Sequence, residues 1–207
     1  MISHETVARY LQRLASNDPT PGGGAAAALH AATGAALASM VAGFTTGRRY
    51  ADVQKEAEHL AERARSVISV ALHAAQEDER LFGQLIAAYQ MPRGDGPAKA
   101  VRSAAIQQAT AGAAEPLVAT VQAADEVLQL AERLLVIGNR SVISDVAAAA
   151  ESARAALSIA LVTLEMNINA LDDAQQRERL LIAVRRAEAA IIQSEEITRQ
   201  VRVGVSA

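Results

Sequence analysis

Apolar residues recur along this chain in helical steps, and no stretch alternates in the manner of a strand. The clearest run reads Val53, Ala57, Leu60, Ala64, Val67, Ala71, Ala74, Asp78, Leu81, Leu85. Steps of four and three trace one stripe of a helix packed in a bundle, and charges fill the other faces. Asp78 is the polar member of that stripe. A carboxylate there is partly desolvated, which raises its pKa unless a cation or hydrogen-bond donors stabilise the ionised form. The pattern leaves two roles open: a bundle-end carboxylate tied to a backbone or an Arg, or a functional acid.

A second stretch has a different pattern. From Ala25 to Phe44 nothing is charged, and His30 is the only ionisable side chain. Most residues are Ala, with Leu29, Leu37, Met40 and Val41 between them. Ala is the best helix former, so a helix is expected, apolar on every side and buried on every side at the centre of a bundle. His30 is expected as a packed, hydrogen-bonded side chain. The run is long enough to span a bilayer, roughly 30 Å at 1.5 Å per residue. Its Ala, Gly, Ser and Thr insert weakly, however, and no basic cluster precedes it, so no membrane partner is expected. Pro19 and Pro21 exclude helix just before it. Gly22, Gly23 and Gly24 then offer bare backbone N–H groups at a helix start, a geometry suited to an anionic or carbonyl-bearing ligand.

The remaining pattern fills out the bundle. Ser3 can cap a first helix whose apolar face is Val7, Leu11 and Leu14. Gly47 turns the chain after the central helix, with Arg48 and Arg49 beyond. The third helix runs from about Asp52 to Gln90, and Met91 to Pro97 reads as a loop and candidate lid. A fourth helix starts near Ala98, and Pro116 predicts a kink or break near Glu115 before it resumes to Ile137. Gly138 is a natural stop. Ser141 or Ser144 can cap a fifth helix carrying Asp145 in or beside its first turn, and a sixth extends from about Ala174 to Val203. The expected fold class is all-α: one domain, residues 1–207, a bundle of about six helices around a buried Ala-rich central helix.

Composition narrows the functions. Hydrophobic residues make up 51% of the 207 but aromatics only 2%, so the core must be built from Ala, Leu, Val and Ile in close-packed helices. A net charge of -3 without a Lys/Arg run speaks against nucleic acid. Without cysteine there is no disulfide and no thiolate site. Met1 to Glu5 has neither the basic nor the apolar part of a signal peptide, so a cytoplasmic protein is expected. His4, His30, His59 and His73 fall in no metal-ligand spacing, and no metal is expected.

Leu14-Ala15-Ser16, Pro19-Thr20-Pro21-Gly22-Gly23-Gly24 and Gly34 through Val41 together resemble the formiminotetrahydrofolate cyclodeaminase and methenyltetrahydrofolate cyclohydrolase family. So do Thr46-Gly47-Arg48-Arg49, Asp78 with Phe82, Met91-Pro92-Arg93, Gly138-Asn139 with Ile143-Ser144-Asp145, and Ile168-Asn169. The resemblance runs in order from about Thr6 to Leu171. Gly43, Leu81, Ser141 and Glu165 depart from the family pattern.

The resemblance implies an all-α, dimeric enzyme of folate one-carbon metabolism with its site near the subunit interface. It implies methenyltetrahydrofolate cyclohydrolase activity first and formiminotetrahydrofolate cyclodeaminase activity as the alternative. A non-enzymatic helical interaction protein on the same scaffold is the alternative of another class, motivated by the drift at Gly43, Ser141 and Glu165. Either reaction needs one general acid/base group and no metal or cofactor beyond the folate substrate. Asp78 is the expected catalytic group. Asp145 is expected to accept from the pterin N–H and amino group, and Arg48, Arg49 and the Gly22–Gly24 amides to receive the anionic glutamate tail. Pro21, Asn139 and Ser144 complete the substrate-binding set by position in the motifs. A homodimer is also expected because six helices leave few ways to cover an all-apolar central helix.

Overall fold

The computed structural model describes residues 2–206, without the side chains of Ser3 and Ser206. Six helices form the bundle: α1 (Val7–Leu14), α2 (Gly23–Phe44), α3 (Gln54–Gln90), α4 (Pro97–Ile137), α5 (Ile143–Ala170) and α6 (Ala174–Ser206). A single 3-10 turn at Ile2–His4 precedes them, others at Arg48–Tyr50 and Arg140–Val142 lie between α2 and α3 and between α4 and α5, and no strand occurs among the described residues.

Helix α2 packs against α3, α4 and α5, while α6 lies on α4 and α5. The stripe read from the α3 sequence is buried from Ala57 through Ala74 and again at Leu85. Leu117, Leu128, Leu130 and Leu134 of α4 meet Leu157 and Leu164 of α5 in the centre. The helices approach closely because their contact residues are small. At Gly34, an added Cβ would lie 2.9 Å from the Ala149 carbonyl oxygen and 3.0 Å from a Val127 methyl, so α2, α4 and α5 converge on one point where only glycine fits. Helix α5 therefore runs antiparallel to α2, with Ile159 beside Gly23 at the far end.

Four expectations need correction. First, α2 is not buried all round. Ala25, Ala28, Ala31, Ala35, Ala38 and Val41 face the core, but Thr33, Ala36, Met40, Gly43 and Phe44 form an exposed stripe, and His30 is exposed beside it. With three neighbouring helices on one side, none remains for the other. Second, α1 turns a different face inward: Tyr10 is buried and Leu14 packs on the same cluster, whereas Val7 is 75% and Leu11 54% exposed. Thr6 caps α1 by accepting from the Arg9 N–H, and the Ser3 side chain lies outside the described residues. Third, Pro116 does not break α4, because Ala113, Ala114, Leu117, Thr120 and Val121 pack on both sides of it. Fourth, no side chain caps α5 at Val142; Asn139 caps the preceding turn instead, accepting from the Ser141 N–H. Helices α2 and α5 are each long and apolar enough to cross a bilayer by length and composition alone.

Candidate functional site: two half-sites at the ends of one helix

Asp78 projects from α3 onto the first turn of α2. Its carboxylate lies so close to Gly24 that a Cβ there would stand 2.0 Å from Oδ1 and 2.5 Å from Cγ. The contact, not backbone torsion, explains why this position is glycine. The carboxylate accepts a hydrogen bond from the Ala25 N–H, so the anion received by this helix start is the protein's own Asp78. Buried Pro21 and the extended Gly22 bring the chain into the helix here. Burial pushes the Asp78 carboxyl up to about 6, against the downward pull of the Ala25 bond and with a further push from Glu79. An acid poised there can exchange a proton near neutrality.

Helix α1 and the residues before it close over this end. Arg13 bonds Glu5 at 2.6 Å and Glu79 at 2.9 Å. Tyr10 packs among Ile2, Ala25, Ala28, Ala74 and Ala75. Burial raises its phenol pKa, helped by the charges of Glu79 and Asp78 and opposed by Arg13. Beside it a groove of about 530 Å³ runs between α1 and α2, lined by Leu11, Leu14, Leu29, His30 and Leu72 among others.

The opposite end of α2 is assembled differently. The Asn139 side-chain amide donates to the Phe44 carbonyl at 2.8 Å, and its backbone N–H donates to Thr45 Oγ1 at 3.1 Å. Thr45 in turn donates to the Val41 carbonyl at 2.8 Å. These bonds satisfy carbonyls left open at the helix end. Gly47 turns the chain with φ 87, and exposed Arg48 and Arg49 follow, the Arg49 guanidinium over the Tyr50 ring at 5.8 Å. Ser144 is exposed and Asp145 half-buried in the first turn of α5. Of the family departures, Gly43 and Ser141 sit exposed at this end, and Glu165 is exposed on α5.

The structure thus gathers the expected residues into two groups. Asp78, Pro21, Gly22, Gly23 and Gly24 meet at the start of α2, whereas Arg48, Arg49 and Asn139 lie at or beyond its end and Ser144 and Asp145 stand in the first turn of α5, alongside its last turns. The 22 residues of α2, about 33 Å at 1.5 Å per residue, run between the glycine turn and the Arg48–Arg49 segment. Sequence reasoning missed Glu5, Tyr10, Arg13 and Glu79 at the first group and Thr45 at the second. Arg13 and Glu79 stand 66 positions apart, so no local spacing signals their pairing. Among the described residues, no group of three or more His, Asp or Glu side chains is placed to hold a metal ion.

Relatives of known name share this framework. A methenyltetrahydrofolate cyclohydrolase of Methylorubrum extorquens is 37% identical over 182 residues, 87% of this chain and 88% of that protein. The formimidoyltransferase-cyclodeaminase of Sus scrofa is 28% identical over 205 residues, and the match takes in 37% of that longer protein. The crystal structure of a formiminotetrahydrofolate cyclodeaminase from Thermotoga maritima superposes with a TM-score of 0.89 over 100% of both chains at 24% identity, which establishes the common fold. The family model described as formiminotransferase-cyclodeaminase matches residues 6–186, taking in both ends of α2. By that match and the 37% identity along nearly its whole length, this chain belongs to the formiminotransferase-cyclodeaminase family.

Proposed function

We propose that this protein is a folate one-carbon enzyme that opens the N5–N10 methenyl bridge of tetrahydrofolate by hydrolysis, giving formyltetrahydrofolate. The observation that carries this reading is the Asp78 carboxylate, held against Gly24 with its pKa raised to about 6. The methenyl bridge is already a cation. Asp78 takes a proton from water as the oxygen bonds to the bridge carbon. It then returns that proton to the departing nitrogen as the carbon–nitrogen bond breaks, while the carbinol hydroxyl becomes the formyl carbonyl and releases its proton to solvent, which carries away the positive charge of the bridge. The same group serves the second reading, cyclodeamination, in which N10 attacks the formimino carbon and ammonia leaves. The names of the mammalian relatives favour keeping that reading. On either reading the protein works in the cytoplasm, and the folate is a substrate rather than a resident cofactor.

The second half-site extends this reading to a homodimer. Asp145 stands one turn of α5 before the Ala149 that meets Gly34, so it and Asp78, at Gly24, lie about 20 Å apart along α2, more than the reach from the pterin to the one-carbon bridge of one folate, and one chain's Asp78 and Asp145 do not serve the same molecule. A second copy laid antiparallel on the Thr33, Ala36, Met40, Phe44 stripe brings the start of one α2 to the end of the other. Each folate then meets the Asp78 of one copy and the Asp145 of the other.

Purified protein tested against methenyltetrahydrofolate and formiminotetrahydrofolate separates the readings. Accelerated decay of methenyl absorbance supports hydrolysis, and ammonia release supports cyclodeamination. Neither response would leave the non-enzymatic interaction protein. A sedimenting species of one 21.7 kDa chain at micromolar concentration would end the dimer reading.

A further inference from the structure

Helix α1 is eight residues long and shares no extended seam with any other helix. Two side chains fasten it over Asp78: Tyr10, packed into a small cluster of its own, and Arg13, which spans Glu5 and Glu79. The span is partly buried. The side chains of Arg13, Glu5 and Glu79 are only 25%, 18% and 20% exposed. Each glutamate gives one oxygen to Arg13, while Glu5 Oε2, Glu79 Oε1 and the Tyr10 hydroxyl are buried without a hydrogen-bond partner. A charge network so incompletely satisfied is a poor stabilising device, because buried unpaired oxygens carry their full desolvation penalty. Its position points to another use, since Glu79 is the residue next to Asp78.

We propose that Arg13 is a positioning residue for Asp78: clamped between Glu5 and Glu79, it latches α1 over the carboxylate and offsets the Glu79 charge beside it. This rests on the reading of Asp78 as the acid/base group. The groups facing Asp78 can be named element by element. Its own helix contributes Glu79, together with Glu77 and Arg80, which pair with each other at 2.6 Å. The N-terminal segment contributes Glu5, Tyr10 and Arg13. Helix α2 contributes the Ala25 N–H and the positive end of its dipole, with no titratable side chain before His30 on the outward stripe. Helix α4 contributes Ala119, packed on the Tyr10 cluster. Arg13 is the cation bonded to Glu79, at 2.9 Å, whereas Arg80 is taken up by Glu77. Removing it leaves the Glu79 charge unopposed, which disfavours the ionised form of Asp78.

The test is a pH series on the intact protein. Arg13→Gln should move the acid limb of kcat/KM upward by about half a pH unit, and Glu79→Gln should move it downward by a similar amount. The double variant should return close to the starting protein, and Arg13→Lys should restore most of the limb by restoring the charge. Carbon-13 NMR titration of the Asp78 carboxyl reads the same shifts without turnover. It therefore decides the proposal even if neither folate reaction is found, an outcome that would sink the functional reading alone. If both single variants lower Tm yet leave the Asp78 titration in place, Arg13 is a fastening for α1 and nothing more.

Discussion

The two ends of α2 solve the same problem in opposite ways. Each helix end leaves backbone groups to be satisfied. At the C-terminal end the solution is neutral: Thr45 of the turn and Asn139 from the connection between α4 and α5 hydrogen-bond to one another and to the last carbonyls. At the N-terminal end it is a charged side chain from another helix, pressed against a glycine and half-buried. The first arrangement is a cap of the kind any helix can use. The second holds a carboxylate where its ionised form is disfavoured, although a neutral capping group would serve the backbone equally well. The comparison teaches where to look for chemistry: at the end that satisfies the backbone at an energetic disadvantage.

The largest expected effect breaks the comparison at its charged end. Asp78→Asn should lower turnover by roughly 10²–10⁴-fold while Tm holds or rises, because a buried charge is removed. Full turnover with a markedly lower Tm would make Asp78 a structural anchor and the two ends alike. The wild-type pH dependence follows from the same shift. Asp78 must be ionised to act as base, so kcat/KM should fall as pH drops through about 6. Stability should move the other way. The folded state holds this proton up to about 6, whereas the ordinary carboxyl releases it at 3.8. Its contribution therefore grows as pH falls through that window and is lost as pH rises through 6. Equilibrium unfolding of Asp78→Asn across the window should lack that component.

Next in size is Gly24→Ala. Its methyl group would occupy the space of Oδ1, so the carboxylate must move. A loss of about 1–3 kcal/mol in denaturant unfolding should accompany a turnover approaching that of Asp78→Asn. An unchanged rate would show that Asp78 need not sit in the glycine cradle.

What the sequence disclosed, and what it could not, divides along physical lines. The α3 stripe was legible because four-three spacing records which residues face a neighbour, and Asp78 stood out as its polar interruption. The exposed face of α2 was illegible because an all-apolar helix carries no record of which side lacks a partner. In α1 the two Val7 and Leu11 side chains suggested the wrong face, since the inward position belongs to Tyr10, whose ring buries while its hydroxyl stays polar. The glycine triplet marked the right place but suggested a ligand's anion where the structure puts Asp78. The Arg13–Glu79 contact depends on how α1 folds back over α3, which no local pattern encodes.

A smaller effect sharpens the comparison by joining the two ends. Asp78→Asn and Asp145→Asn chains, each nearly inactive at low folate, should recover about a quarter of the wild-type rate when unfolded and refolded together. Half of the dimers are then mixed, and one of their two sites is intact. No recovery, with mixed dimers present, would mean that each chain works with one end only. The smallest effect tests the neutral end. Asn139→Ala should lower stability by about 1–2 kcal/mol and leave the acid limb of the pH profile where it was. A moved limb would show that the two ends communicate.

Gly34 has a bearing on all of this. Where α2, α4 and α5 meet with no room for a methyl group, the middle of α2 can neither slide nor turn, and the helix acts as a gauge block between its ends. One residue inserted or deleted in it would shift one end by about 1.5 Å and rotate it by about 100° relative to the other. Asp78's shelf and the outward stripe would then fall out of phase, however well each was preserved. Change in this chain is therefore expected to come by substitution at the ends of α2, and a variant of altered α2 length should fold as a bundle that neither pairs nor turns over.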